Sequence, residues 1–205
     1  MSTGLKNAGS IIPDVLEDVH FSVNEQCVQF SECETFAPFI KDNKPVFHIE
    51  YPKDAPSVSS AASKRVCTPS GEAAGTDGFS TPEAGASWQI VLIKPIEVPA
   101  SGDVTPDVDA FDIDLFDNSD ETFSRLREAG KKVICYFSAG SWEDWRDDKD
   151  DFGDENLGKE LDGWPGEKWV DVASDGVRNV MKKRIQLAAN RGCDAIDPDN
   201  VDGFV

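Results

Sequence analysis

The sequence predicts an α/β fold in which eight parallel strands form a barrel surrounded by helices. Eight short apolar runs are spaced along the 205 residues. Helical patterns lie between such runs, and repeated β-α-β units build a parallel sheet. Carboxylate, amide or hydroxyl residues stand at the ends of the runs, as expected where barrel strands open into a cleft. A complete barrel needs roughly 250 residues, so a single trimmed domain is expected.

The first half of the chain carries five of these predicted strands. Helical segments near residues 13–19 and 33–42 separate the first three strands. Two stretches rich in Ser, Ala, Pro and Gly, at 53–77 and 95–107, predict exposed loops. The five strands are predicted at 4–7, 21–25, 45–50, 78–81 and 88–92.

The second half contains the clearest β-α-β unit. Alternating apolar and acidic residues over 109–117 predict a strand, and the apolar run over 132–137 predicts a buried one. Between them Asn118 is the candidate N-cap of a helix, with Glu121 three residues later and Gly130 closing it.

A longer helix precedes the last predicted strand, at 193–197. Ser174 is its candidate cap, and Gly192 follows its end. One face of this helix is apolar, with Val177, Val180, Met181, Ile185 and Ala188.

The charge balance limits the possible partners. The formal net charge is -19, which would repel a nucleic-acid backbone or an anionic membrane and attract a cationic partner. An acidic surface that only maintains solubility is the alternative. The chain has no 18-residue apolar stretch, and its polar start lacks the apolar core of a signal peptide. We therefore expect no membrane insertion.

The five cysteines lack the paired CxxC spacing of a zinc site. Cys27 and Cys33 are close enough in sequence for a disulfide, and the odd count leaves at least one thiol unpaired. The spacing of Asp112 and Asp114, and of Asp197 and Asp199, does not fit a calcium-binding loop. No metal and no cofactor is expected.

Several long motifs closely resemble the endo-α-1,4-polygalactosaminidases of glycoside hydrolase family 114. The motifs cover residues 4–8, 23–27, 47–52, 88–89, 112–117, 133–141, 164–167 and 192–204. The resemblance implies a (β/α)8 TIM barrel that cleaves α-1,4-linked galactosamine polymers. It also implies an extracellular or cell-surface location and a cationic polysaccharide as partner, and we expect a monomer.

The motifs occur in a circularly permuted order. Residues 1–81 resemble the C-terminal half of the family, 88–205 resemble its N-terminal half, and 82–87 join them, giving the strand order 5-6-7-8-1-2-3-4. The segment around the fourth outer helix is missing, so the outer faces at Leu5 and Ile196 need another cover. A natural permutation, an engineered one and an error in the reading frame all fit.

The predicted catalytic pair is Asp199 and Glu25. Glycosidases use two carboxyl groups, one protonated and one ionised, and the family's proposed pair maps onto these two positions. Glu25 is assigned as acid and Asp199 as nucleophile or base, with the order of the roles left open. Glu50 is the substitute for either.

Further residues are predicted to bind the sugar. Acidic side chains would accept hydrogen bonds from its amine, and aromatic rings would face the sugar. Core packing of the aromatics and helix capping by the aspartates are the alternatives. The acidic run at 143–155 forms either a rim over the site or a solvated face. The predicted binding residues are Lys6, Asn24, Glu50, Tyr51, Trp88, Asp112, Asp114, Tyr136, Asp197 and Asp202.

Three functions fit these observations. The first is endo-hydrolysis of galactosamine polymers by the two carboxyl groups. The second is a barrel that binds such glycans with impaired or no cleavage, since small displacements of catalytic groups lower rates strongly. The third is a product without activity of its own.

Overall fold

The structure is a computed structural model that describes residues 1–49 and 86–203. Its main sheet contains seven parallel strands in the order β3-β2-β1-β10-β6-β5-β4, and β7, β8 and β9 form a second sheet. In chain order the strands are β1 (Ser2–Lys6), β2 (Phe21–Glu25), β3 (Val46–Ile49), β4 (Trp88–Val91), β5 (Ala110–Asp114), β6 (Lys132–Ser138), β7 (Ser141–Glu143), β8 (Leu157–Glu160), β9 (Glu167–Val170) and β10 (Ala195–Asp199).

The main sheet curls into a nearly closed barrel. Its edge strands β3 and β4 lie close to each other. The ring centroids of Phe47 on β3 and Trp88 on β4 are 4.8 Å apart. Phe21, Ile134 and Ala195 from three other strands join Phe47 in the same interior cluster. The α/β barrel predicted from the sequence is thereby confirmed. The strand predicted at 78–81 lies outside the described residues.

Helices cover the outer face of the sheet. Side chains alternate between the two faces of a strand, so the apolar residues at odd-numbered positions of β5 and β6 point outward. Phe111, Val133 and Phe137 pack there against Phe123 and Ala188 of two helices. The described helices are α1 (Ile12–Val15), α2 (Ala37–Lys41), α3 (Asp120–Glu128) and α4 (Asp175–Arg191).

The helix caps confirm one prediction and correct another. Ser174 caps α4 by accepting a hydrogen bond from the N–H of Gly176. The predicted cap Asn118 is wrong, because Ser119 caps α3 and accepts from the N–H of Thr122. The amide of Asn118 bonds instead to the carbonyl of Asp114, inside the turn that ends β5.

The strands at the two ends of the chain are neighbours in the barrel. β1 pairs in parallel with β10, so the first and last strands of the described chain lie side by side within the sheet. Leu5 and Ile196 are both buried on the outer face. Val201 and residues of the first two helices cover Leu5, and Ile196 belongs to the cluster that contains Phe137. These faces need no second copy of the chain as cover.

The antiparallel sheet of β7, β8 and β9 was not predicted from the sequence. It packs on α4 through Phe152, Val177 and Val180. The acidic run at 143–155 begins in this sheet, and its first residue, Glu143, is buried. Part of the run therefore serves the fold and is not a solvated face, although Trp145 within it is exposed.

Two disulfides lie among the described residues. Cys27–Cys33 confirms the pairing considered from the sequence. Cys135–Cys193 ties β6 to the segment before β10 and was not foreseen. Among the helices at 1–49 and 86–203, none is long and apolar enough to cross a membrane.

Candidate active site

Four strands bring polar side chains together at the carboxyl end of the barrel. Inward-facing positions alternate along each strand, and Lys6, Glu25, Tyr136 and Asp199 occupy inward positions near the ends of β1, β2, β6 and β10. Because all four strands run parallel, these side chains meet at one mouth of the barrel.

Lys6 bridges the two predicted catalytic carboxylates. Its Nζ lies 3.2 Å from Oδ2 of Asp199 and 3.4 Å from Oε1 of Glu25. Because both oxygens contact the same nitrogen, the two carboxylates lie close together, as the carboxyl pair of a glycosidase must. Burial alone would lower the pKa of Lys6, but the charges of Asp199, Asp197 and Glu25 raise it overall. Lys6 therefore stays cationic.

Each carboxylate has a further polar partner. The hydroxyl of Tyr136 donates to Oδ2 of Asp199 at 2.7 Å, and burial together with Asp199 raises the pKa of this phenol, which keeps its proton. Asn7 donates its side-chain amide to Oε2 of Glu25 at 3.2 Å and accepts the Glu25 N–H at 2.9 Å. Asn7 has a φ of 50°, a left-handed conformation that Asn tolerates well.

Asn7 was missed as a site residue in the sequence. An Asn that directly follows an apolar strand is a signal for such a local side-chain to backbone bond. Asn7 stands directly after β1, and its two hydrogen bonds hold the end of the neighbouring strand β2 and the carboxylate of Glu25 in place.

The main chain around Asp199 is fixed by the loop after β6. The N–H groups of Ala139 and Gly140 both donate to the carbonyl of Asp199, at 2.8 and 3.2 Å. A Cβ atom at Gly140 would stand 1.8 Å from the carbonyl oxygen of Asn200. The absence of a side chain at this position lets the loop approach the end of β10 closely.

A third carboxyl group, Glu167, lies beside this loop and was not predicted. Asn200 donates to the hydroxyl of Ser141 at 2.8 Å, and that hydroxyl donates to Glu167 at 2.9 Å. Burial raises the pKa of Glu167, with further contributions from the charges of Glu143 and Asp199. The network links β9 to the residue that follows Asp199.

Asp112 and Asp197 lie deeper in the barrel than the bridged pair. Both are 0% exposed, and no donor among the described residues bonds to either carboxylate. Burial raises the pKa of Asp197 to about 7, and burial and the charge of Asp197 raise the pKa of Asp112 well above its usual value. Their predicted direct contact with a sugar amine stays a prediction.

Asp114 belongs to a different cluster. Arg146 contacts both of its carboxylate oxygens, at 2.6 and 3.1 Å, and the N–H groups of Phe116 and Asp117 donate to it as well. The structure therefore places Asp114 in an ion pair and a strand-ending turn. It has no described contact with Lys6.

The remaining predicted residues are dispersed. Trp88 is half-buried with its ring against Phe47 inside the barrel. Asn24 is buried and contacts His48 through its side-chain oxygen, so it supports β2 beside Glu25. Asp202 is exposed. Glu50 and Tyr51 lie outside the described residues.

Comparison with solved structures finds two proteins with similar folds. Aspergillus fumigatus Ega3, solved in complex with galactosamine, is 48% identical, with a TM-score of 0.56 over 62% of this chain and 51% of that chain. The glycoside hydrolase domain of Pseudomonas aeruginosa PelA is 17% identical, with a TM-score of 0.46 over 56% and 45% of the two chains. This chain spans about half the length of these structures.

No curated protein matches the sequence. The profile of the glycoside-hydrolase family GH114 matches two segments, residues 1–81 and 68–205, which together include the whole sequence. With the parallel barrel and the carboxyl groups gathered at its mouth, this match shows that the chain belongs to glycoside-hydrolase family GH114.

Proposed function

We propose that this protein is an endo-acting glycoside hydrolase that cleaves α-1,4-linked galactosamine polymers with two carboxyl groups. The observation that carries the proposal is the pair Asp199 and Glu25, bridged by Lys6 at the carboxyl end of a GH114 barrel. The relative Ega3, which was solved with galactosamine, supports the substrate class.

The contacts of the two carboxyls favour different roles. Tyr136 and Lys6 both donate to the same oxygen of Asp199, which suits a carboxylate that acts as nucleophile or base. Glu25 is more exposed, at 23% against 16% for Asp199, and is farther from Lys6. Exposure suits an acid that must regain its proton from water in each cycle.

The charge of the protein supports a cationic substrate. A net charge of -19 attracts a polymer of protonated amino sugars over a long range. Close to the site, the ring of Tyr136 already lies 5.3 Å from a cation, the Lys6 ammonium. In our proposal Tyr136 and the exposed Asp202 contact the sugar, while Lys6 orders the carboxyls. Trp88 begins β4 and packs against Phe47, so it is not part of this contact.

The two disulfides support an extracellular or cell-surface location, since disulfides persist in oxidising compartments. We propose that the protein acts there as a monomer on exopolysaccharide, as expected for a hydrolase of matrix polymers. We also propose that the chain is circularly permuted, with residues 1–81 corresponding to the C-terminal half of the family, residues 88–205 to its N-terminal half, and residues 82–87 joining them.

An assay of newly formed reducing ends on deacetylated α-1,4-galactosamine polymer tests the function. We expect release of oligomers by the wild type and much slower release by Asp199→Asn. Asp18→Asn is the matched control, because Asp18 is exposed and lies before the start of β2, opposite the cleft. Binding of the polymer without new reducing ends would favour the glycan-binding alternative, and neither binding nor cleavage would contradict both.

The charge contribution is tested with the same assay at two salt concentrations. Turnover of the free-amine polymer should fall as salt screens the attraction, whereas N-acetylated polymer should show a smaller effect. Equal rates on both polymers at all salt concentrations would remove charge attraction from the proposal.

A further inference from the structure

Asp112 and Asp197 are the two fully buried carboxyl groups below the catalytic pair. They lie on β5 and β10, the two strands that flank β6, where Asp112 is opposite Ile134 and Asp197 is opposite Tyr136. Their four carboxylate oxygens have no donor among the residues at 1–49 and 86–203. A buried carboxylate without a donor is costly, so this arrangement requires an explanation.

The carboxyl groups of Asp112 and Asp197 interact with each other, and each changes the pKa of the other. Two ionised carboxylates offer only acceptors and repel each other, whereas a protonated carboxyl donates to an ionised one. The contact is favourable only when the pair holds a proton.

We propose that Asp112 and Asp197 share one proton and that the remaining negative charge positions Lys6 between Asp199 and Glu25. The two aspartates are positioning residues, since neither reaches the surface of the cleft. The catalytic consequence rests on the proposed function, whereas the shared proton does not.

The surroundings of the pair agree with this assignment. The charged groups that face it are Lys6 from β1, Glu25 from β2 and Asp199 on β10, with the Tyr136 phenol on β6 between the two strands. Burial raises the pKa of both aspartates, Lys6 opposes the rise and Asp199 adds to it. Near neutral pH the pair thus keeps a proton that an exposed pair would release.

Two amide variants of equal size separate this role from simple filling of space. In Asp112→Asn the new amide donates to Asp197, so it replaces the proton and leaves the charge beside Lys6. In Asp197→Asn the charge is lost, and Asp112 keeps its proton as a donor to the new amide. A pair that only filled space would respond to both substitutions alike.

The first measurement is the unfolding temperature between pH 5 and pH 8. The native pair holds a proton that an unfolded chain releases near pH 4, so the native state binds more protons and loses stability as pH rises. We expect a clear fall for the wild type and for the Asp18→Asn control, and a shallower fall for Asp112→Asn. An equally steep fall in Asp112→Asn would overturn the shared proton.

Infrared spectroscopy of the wild type provides a measurement that needs no variant. A carboxyl group that keeps its proton at pH 7 shows a C=O band distinct from that of carboxylates. We expect this band in the folded protein and its loss on unfolding at the same pH. Its absence from the folded protein would overturn the proposal even if Asp112→Asn failed to fold.

The second measurement is the pH dependence of kcat on the galactosamine polymer. Asp197→Asn should lower kcat about tenfold with little change in KM, and its profile should move to lower pH by about half a unit, because a negative charge near the catalytic carboxyls is gone. Asp112→Asn should move the profile less than Asp197→Asn does, because it keeps the negative charge. Identical profiles for both variants would contradict the positioning role. If the wild type cleaves nothing, the proposed function fails. The thermal and infrared measurements then still show whether Asp112 and Asp197 hold a shared proton.

Discussion

Two clusters of charged side chains in this barrel differ in the number of cations available to their carboxylates. In the arginine cluster, formed by Asp114, Glu143, Asp148, Arg146 and Arg184, two guanidinium groups serve three carboxylates. In the cleft cluster, Lys6 is the cation beside Asp112, Asp197, Asp199 and Glu25. The first cluster is saturated with hydrogen bonds, and the second is not.

The arginine cluster has the features of a structural element. Arg184 is 1% exposed, donates twice to Asp148 at 2.8 Å, and stacks near Phe116 and Phe152. Arg146 reaches Asp114 of β5 and Glu143 of β7. The planar guanidinium suits such two-pronged contacts, which here join the small antiparallel sheet to the barrel.

The cleft cluster lacks this saturation, and we attribute the difference to a structural role for the first cluster and to the proposed catalytic role for the second. Carboxylates that already have rigid donors cannot easily exchange protons or attack a substrate. In the cleft cluster four carboxylates share one cation, and we propose that this arrangement keeps reactivity at some cost in stability. Three substitutions test this distinction.

The largest expected effect follows the loss of a reactive carboxyl. Asp199→Asn should lower hydrolysis of the polymer by roughly 10² to 10⁴-fold, the usual contribution of a positioned acid or base. Its thermal stability should be equal to or higher than that of the wild type, since a negative charge leaves a carboxylate-rich site. A loss of stability with normal activity per folded molecule would assign Asp199 to the structural class.

The next effect concerns the arginine cluster. Arg184→Met removes a buried cation and leaves Asp148 and Glu143 with fewer partners, which should cost about 3 to 5 kcal/mol of unfolding free energy in urea titrations. Lys183→Met is the matched control, because Lys183 is 66% exposed and pairs with Asp151 at the surface. That control should change stability by about 1 kcal/mol or less. Equal losses in both variants would contradict the comparison.

The smallest of the three effects depends on pH. Lys6→Met leaves the cleft carboxylates without their cation, so they bind protons more tightly in the folded state than in the unfolded chain. The folded variant then loses stability as pH rises. We expect a cost of about 2 kcal/mol at pH 8 and less at pH 5, measured by urea unfolding at both values. The same cost at both values would mean that Lys6 does not compensate these charges.

Much of the barrel could be predicted because its local signals agree. Alternation along residues 109–117 and the apolar run at 132–137 mark strands that pair as expected, although β5 ends at Asp114. It ends there because the Asp114 side chain accepts the N–H groups of the next residues, which closes a turn. Such side-chain to backbone competition is hard to see in a pattern of apolar residues.

What the sequence could not show is which strand-end aspartate is held in an ion pair by a distant arginine. Asp114 and Asp199 both end barrel strands, yet one is neutralised by Arg146, which is 32 residues away in sequence. The link Cys135–Cys193, with a separation of 58 residues, was missed for the same reason. Contacts between distant segments depend on the whole fold, and local spacing does not encode them.

The bare backbone at Gly140 makes the cleft sensitive to a purely steric change. The carbonyl of Asn200 fills the space where a side chain would begin, and the adjacent peptide carries Asp199. A methyl group at position 140 would act as a wedge between the loop and the end of β10. One uncharged carbon atom at this position would thus displace the proposed catalytic Asp199 without removing any ionisable group, so the geometry of the cleft depends on a residue that has no side chain.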